Sequence, residues 1–284
     1  MWLALAFASA FLLGCYEVNK KISLNGNAVI PVLFLNTLIS SLIFVPFIFL
    51  SFCTNVLDDT MFYVPRVSFE AHVAVFIKAV IVLSSWISGY FALKHLPLTI
   101  TGPIKAPVLT LVGAMVIFGE RLNLYQWIGV LLSIASFYML SSSGKKEGIN
   151  FTHNKWIFFT IISIITGAMS GLYDKHLMGS MDVMTVQVWF NVYQCLIMLP
   201  ILLLLWYPQR KKSTPFVWHW NIVFISVFLI IADWIYFYAL SFPDSMISIV
   251  SMVRRSNVLV TFVAGAIFFH EKNLKSKAVD LFLV

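Results

Sequence analysis

Residues 97–121 read PLTITGPIKAPVLTLVGAMVIFGER, and residues 247–272 read ISIVSMVRRSNVLVTFVAGAIFFHEK. Both run from a cationic segment through an apolar stretch with a small-residue pair, Gly113-Ala114 or Ala264-Gly265. They close on Phe118-Gly119-Glu120-Arg121 and Phe269-His270-Glu271-Lys272, about 150 residues apart. Two further matches keep that order and spacing. Gly14-Cys15-Tyr16-Glu17 pairs with Gly171-Leu172-Tyr173-Asp174, and Trp86 with Phe91-Ala92-Leu93 pairs with Trp234 with Tyr238-Ala239-Leu240. Each match is weak alone. Their shared order and near-constant offset identify an internal repeat.

Outward from these stretches the chain is a succession of apolar runs, near 2–19, 28–53, 71–93, 97–119, 122–142, 156–177, 183–207, 216–241 and 245–269. Each approaches the roughly 20 residues a helix needs to cross a bilayer. A tenth run starts at about Ala278 and stops after Leu281-Phe282-Leu283-Val284, and is expected to be a final helix cut short. The 284 residues are 60% hydrophobic and 11% charged, against about 25% charged in soluble domains. The longest connections, 54–70, 143–155 and 208–215, are too short to fold as soluble domains. The runs lack the alternation of an outer-membrane barrel, which leaves a bundle of helices. The expected fold is an all-α integral membrane protein of two five-helix repeats, 1–142 and 150–284, with nine complete spans and a truncated tenth. An odd number of helices inverts the second repeat, and inverted repeats place a substrate site at midplane between the halves.

The N-terminal MWLALAFASAFLLGCYEVNKK has its lysines after the apolar run, so it reads as a first span and not a signal peptide. The net charge of +7 lies mostly in short loops without a basic patch, which argues against a nucleic-acid partner. Cys15, Cys53 and Cys195 show no metal or disulfide spacing. His176, His219 and His270 have no nucleophile or metal spacing, so neither a cofactor nor an intramembrane enzyme is expected.

A charge at the centre of a span costs roughly 2.5–3.5 kcal/mol. Lys78, Lys105, Asp233, Arg254 and Arg255 fall within the runs. Lys78 is near enough to its helix end to snorkel. Asp233 is too short for that; it needs an ion-pair partner among Lys78, Lys105 and the arginines, or a role toward substrate or proton. Lys105 sits between Pro103 and Pro107, where the helix is expected to break and free its carbonyls. The repeat sets it opposite the segment holding Arg254 and Arg255. Three converging cations point to an anionic substrate, because guanidinium binds carboxylate or phosphate through two parallel hydrogen bonds. Glu17 and Asp174 are candidate proton-coupling carboxylates; their lysine neighbours Lys20, Lys21 and Lys175 favour interfacial ion pairs instead. Glu120 and Glu271 read as structural. Trp86, Tyr90, Trp189, Tyr193, Trp234, Tyr236 and Tyr238 are candidates to line a cavity, with interfacial anchoring as the alternative.

The stretches 92–140 and 239–274, with Ala106-Pro107, Gly119-Glu120-Arg121 and His270-Glu271-Lys272, resemble the two copies of an EamA-type repeat. The resemblance implies the drug/metabolite transporter superfamily, with ten helices in two inverted repeats. It implies a secondary transporter of a small organic metabolite, working by alternating access and residing in a bacterial inner membrane. Plastid sugar-phosphate translocators of that superfamily hold phosphate with basic residues on the corresponding helices, a role that would pass here to Lys105, Arg254 and Arg255. Tyr16-Glu17-Val18 also resembles the membrane glutamate of small multidrug resistance proteins, which implies an alternative, proton-coupled export of cationic compounds. A non-transporting membrane partner is a further alternative. There is no Gly-rich phosphate-binding loop for ATP. The partners expected are thus a small-molecule substrate and the lipid bilayer; the sequence does not give the oligomeric state.

Loop charge and family resemblance imply opposite orientations. The loops after the first, third, fifth, seventh and ninth runs hold twelve Lys and Arg, those opposite hold three. The positive-inside rule then puts the N-terminus outside, whereas the family resemblance implies cytoplasmic termini. A reporter fused within 143–155 distinguishes them.

Overall fold

The computed structural model describes residues 1–58, 60–96, 108–132, 135, 154–212 and 214–267. Among them the regular structure is helical, without strands. The helices are α1 (Trp2–Leu24), α2 (Val29–Cys53), α3 (Phe69–His95), α4 (Val108–Ile117), α5 (124–132), α6 (Lys155–Met178), α7 (Val183–Ile201), α8 (Asn221–Ser241), α9 (Ile247–Arg255) and α10 (Asn257–Ile267). Among the described residues, seven segments are long and apolar enough to cross a membrane: α1, α2, α3, α6, α7 with its continuation to Gln209, α8, and α9 with α10. The runs expected at 97–119 and 122–142 lie partly outside the described residues. Lys105, Glu271 and the tenth run lie wholly outside them.

The helix pairing maps onto itself when the two halves are exchanged. The two most extensive pairs are α1 with α8 and α3 with α6. Pairing α3 with α7 mirrors α2 with α8, and α2 packs on α7 across the pseudo-axis. Helix α4 against α6 mirrors α9 and α10 against α1. The dominant pairs therefore join one half to the other.

The register between halves is readable from the backbone. Helices α2 and α7 start at Val29 and Val183 and carry internal prolines at Pro46 and Pro200. Both intervals are 154 residues. Each proline removes an intrahelical donor, and in α7 the turn that follows, Leu202–Trp206, widens to a π-helix. Lys21 of α1 donates to the Leu93 and Leu96 carbonyls at the end of α3. Lys175, again 154 residues on, donates to the Leu240, Phe242 and Ser245 carbonyls at and just beyond the end of α8.

Large apolar side chains such as Phe7, Phe11, Phe49, Phe76 and Leu204 stay exposed. In a bilayer, that surface faces acyl chains and not water. Without water to drive helices together, association depends on close packing at small residues. A Cβ placed on Gly14 would lie 2.5 Å from the Val260 Cβ, at the crossing of α1 and α10. Gly14→Leu is expected to lower thermal stability in detergent by about 1–3 kcal/mol through overpacking. Gly171→Ala, whose Cβ would meet nothing nearer than the Tyr236 hydroxyl at 3.8 Å, is expected to have little effect.

Candidate functional site

Five helices turn one polar stripe each toward a common cavity of about 180 Å³. The spacing within every stripe is three or four residues, one face of a helix. From α1 come Leu13, Tyr16, Glu17 and Lys20; from α3 come Lys78, Val82, Ser85, Trp86, Gly89 and Tyr90. From α6 come Ser163, Ile164, Gly167, Ser170, Gly171 and Asp174; from α8 come Leu229, Asp233, Tyr236 and Phe237. Helix α9 contributes Ser251, Arg254 and Arg255, while Thr110 of α4 and Phe190 of α7 complete the lining.

Seven charged side chains face this space. Glu17 pairs with Lys20 at 2.7 Å one turn along α1. Asp233 of α8 accepts from an Arg254 Nη at 2.7 Å, and the Arg254 guanidinium lies over the Tyr236 ring at 3.9 Å. Asp174 of α6 pairs with Lys78 of α3. The Lys78 expectation is thereby corrected. Its side chain does not snorkel; the residue is 1% exposed, because a carboxylate on the facing helix supplies the partner that the interface would have supplied. Asp174 likewise makes no interfacial pair with Lys175, whose ammonium is taken up by carbonyls and the Ser245 hydroxyl.

Among the described lining residues, Arg255 is the cation left without an ion pair. It lines the cavity beside Arg254, and among the described residues no carboxylate lies within ion-pair distance of it and no hydrogen bond engages it. The described lining thus carries three carboxylates and four cations, each carboxylate already matched by a cation of the chain.

A hydrogen-bonded chain supports one wall. Lys20 donates to the Tyr16 hydroxyl at 3.4 Å and lies over the Tyr16 and Tyr90 rings. The Tyr16 and Tyr90 hydroxyls are 3.3 Å apart, Asn36 donates to Tyr90, and Ser226 of α8 donates to the Asn36 side-chain oxygen at 3.0 Å. Elsewhere the halves are fastened by Glu120. Gly119, at a φ of +64°, turns the chain out of α4, and the Glu120 carboxylate accepts from the Ile247 and Ser248 backbone amides and the Ser248 hydroxyl. A carboxylate here satisfies orphan donors and complements the helix dipole. Among the described residues no group of three His, Cys, Asp or Glu is placed to hold a metal.

Of the candidates named from sequence, Glu17, Trp86, Tyr90, Asp174, Asp233, Tyr236, Arg254 and Arg255 line the cavity together. Trp189 and Tyr193 do not, packing on one another and on His72; nor do Trp234 and Tyr238. The latter two stack on one another at 5.6 Å, and Trp234 also stacks on Phe62. The reason is rotational: Asp233, Tyr236 and Phe237 form the stripe, and each position one residue further turns about 100° away. The stripes align at 147 residues, pairing Val82 with Leu229, Trp86 with Asp233 and Tyr90 with Phe237. Matching Trp86 to Trp234 slips that register by one. The 154-residue interval of the first helices likewise pairs Lys20, not Glu17, with Asp174, so the two carboxylates are not repeat-related. Lys20, Lys78, Tyr16 and Phe237 went unidentified as lining residues in the sequence.

Comparison with known proteins adds three findings. The family model described as the EamA-like transporter family matches residues 1–142 and 154–284. No curated protein matches the chain by sequence. A solved crystal structure, titled only as that of a protein, is similar at a TM-score of 0.71 and 14% identity, covering 99% of this chain and 93% of that one. At that identity the likeness is one of fold alone.

Proposed function

This chain belongs to the EamA-like transporter family, and from that membership we propose that it is a secondary transporter of a small anionic organic metabolite. Its family and its apolar helices make it an integral multi-pass membrane protein; a bacterial inner membrane is the setting we assign. The site is the cavity between the repeats, alternately opened to either side, with gradient coupling or exchange as the driving force.

The observation that carries the anionic reading is Arg255. A guanidinium facing a cavity, with no carboxylate among the described residues within ion-pair distance, is costly to keep in a membrane unless an anion joins it. The planar fork suits a carboxylate or phosphate. Lys105 and Arg254 were grouped with it on sequence; Arg254 already serves Asp233, which gives it the role of holding the neighbourhood in place. Trp86 offers a flat apolar face for the rest of the solute, while Tyr90, with Lys20 over its ring, supports that wall.

A thermal-shift screen of purified protein against acidic, neutral and cationic metabolites tests the reading, since a ligand stabilises the state it binds. Acidic compounds are expected to raise the transition temperature, and the rise is expected to vanish in Arg255→Ala. Stabilisation by cationic compounds instead would favour proton-coupled cation export through Glu17 and Asp174.

A further inference from the structure

Lys78 sits where a solute would. Its stem enters from α3, and its ammonium ends against Asp174 of α6, a partner 96 residues away in sequence. The rings of Phe190 from α7 and Phe237 from α8 flank that ammonium, with centroids 4.4 and 4.7 Å from Nζ. Three helices thus supply a carboxylate and two aromatic faces around one cation. That is the chemistry by which proteins recognise free ammonium ions, with the ring quadrupoles and the carboxylate acting together in a desolvated place. All four residues line the cavity, so the arrangement stands within reach of an entering solute.

We propose that Asp174, Phe190 and Phe237 form a site for a small monovalent ammonium ion, which the chain fills with its own Lys78, and that Lys78 thereby keeps cationic solutes out of the cavity. An untethered cation would have to compete with one held at very high effective concentration. The same residue excludes the wrong charge without touching the right one, a repulsive device of the kind specific sites use alongside attraction. The inference concerns the cavity assigned to anion transport, but it is tested by binding and not by transport, so either can fail without the other.

Lys78→Ala deletes Cγ, Cδ, Cε and Nζ, and n-propylammonium replaces those heavy atoms one for one. Purified Lys78→Ala protein is expected to unfold at a lower temperature than the parent. Its transition is expected to rise saturably by about 3–5 °C as n-propylammonium chloride is titrated in. Propan-1-ol, which has the same length without the charge, is expected to give no such rise. The parent protein, Lys78→Met and Lys78→Ala/Asp174→Asn are expected not to respond to the amine, because the first two fill the site and the third lacks its carboxylate. No response in Lys78→Ala overturns the proposal, as does an equal response in the parent or the double variant. If Lys78→Ala fails to accumulate as folded protein, adding n-propylammonium during production and purification must restore the folded yield; failure with and without the amine overturns the proposal as well.

Discussion

Asp174→Asn is expected to destabilise the bundle by about 3–5 kcal/mol, the penalty for leaving one member of a buried ion pair without its partner. The substitution keeps the shape of the side chain and removes only its charge. Lys78, almost wholly buried, then keeps its ammonium between Phe190 and Phe237 with no carboxylate against it. The rings cannot compensate, since a cation over an aromatic face is worth about 2 kcal/mol even when desolvated. In a thermal melt in detergent the transition is expected to fall by roughly 10 °C. Lys78→Met/Asp174→Leu is expected to recover most of that loss, because apolar groups of similar volume replace a buried pair at little or no cost. A shift of only a degree or two in Asp174→Asn would mean that water reaches the pair.

Arg255→Ala is expected to behave in the opposite manner, with a large effect on transport and a small one on stability. The guanidinium engages no described hydrogen-bond or ion-pair partner, and its nearest cationic neighbour is Arg254, so its removal relieves repulsion. The melting temperature is expected to stay within about 2 °C of the parent. Transport of the acidic compound found by thermal shift is expected to drop by about 30-fold or more, since truncating one side of a desolvated charge pair costs about 2–5 kcal/mol. Arg255→Lys keeps the charge and loses the planar fork, so partial recovery is expected. Undiminished uptake in Arg255→Ala would remove Arg255 from the site.

How far the sequence could be read follows from what a linear pattern contains. Length and apolarity mark spans, and the expected runs agree with the seven described membrane-length helices to within a few residues, apart from a later end for α1 and a later start for α8. The repeat was legible from small and aromatic residues, and the family model matches both halves. The register within the repeat was not. Identity matching favours Trp86 with Trp234, but a helix presents faces, and one residue of slip turns a tryptophan from the cavity to the packing against Phe62. A slip of three residues turns a helix only about 60° and keeps roughly the same face, so the match of Glu17 with Asp174 still placed both at the cavity. The role of Lys78 was hidden for another reason. Its distance from the helix end allows snorkelling, and nothing local announces a carboxylate on α6.

That 96-residue separation between Lys78 and Asp174 sets a condition on biogenesis. Helix α3 leaves the ribosome long before α6 exists, carrying a lysine whose cost against insertion has the mid-span value of roughly 2.5–3.5 kcal/mol as its upper bound. The segment, lysine included, reaches a mean hydropathy of 1.8 and is apolar enough to enter. Its ammonium then waits in or beside the insertion machinery until the second half is made. The main pairings, α1 with α8 and α3 with α6, also form only after the later helices arrive. The halves are therefore laced together late in synthesis and not folded one after the other. A nascent chain arrested near residue 153 is expected to remain open, with a lone lysine in lipid, and to be a ready substrate for membrane quality-control proteases.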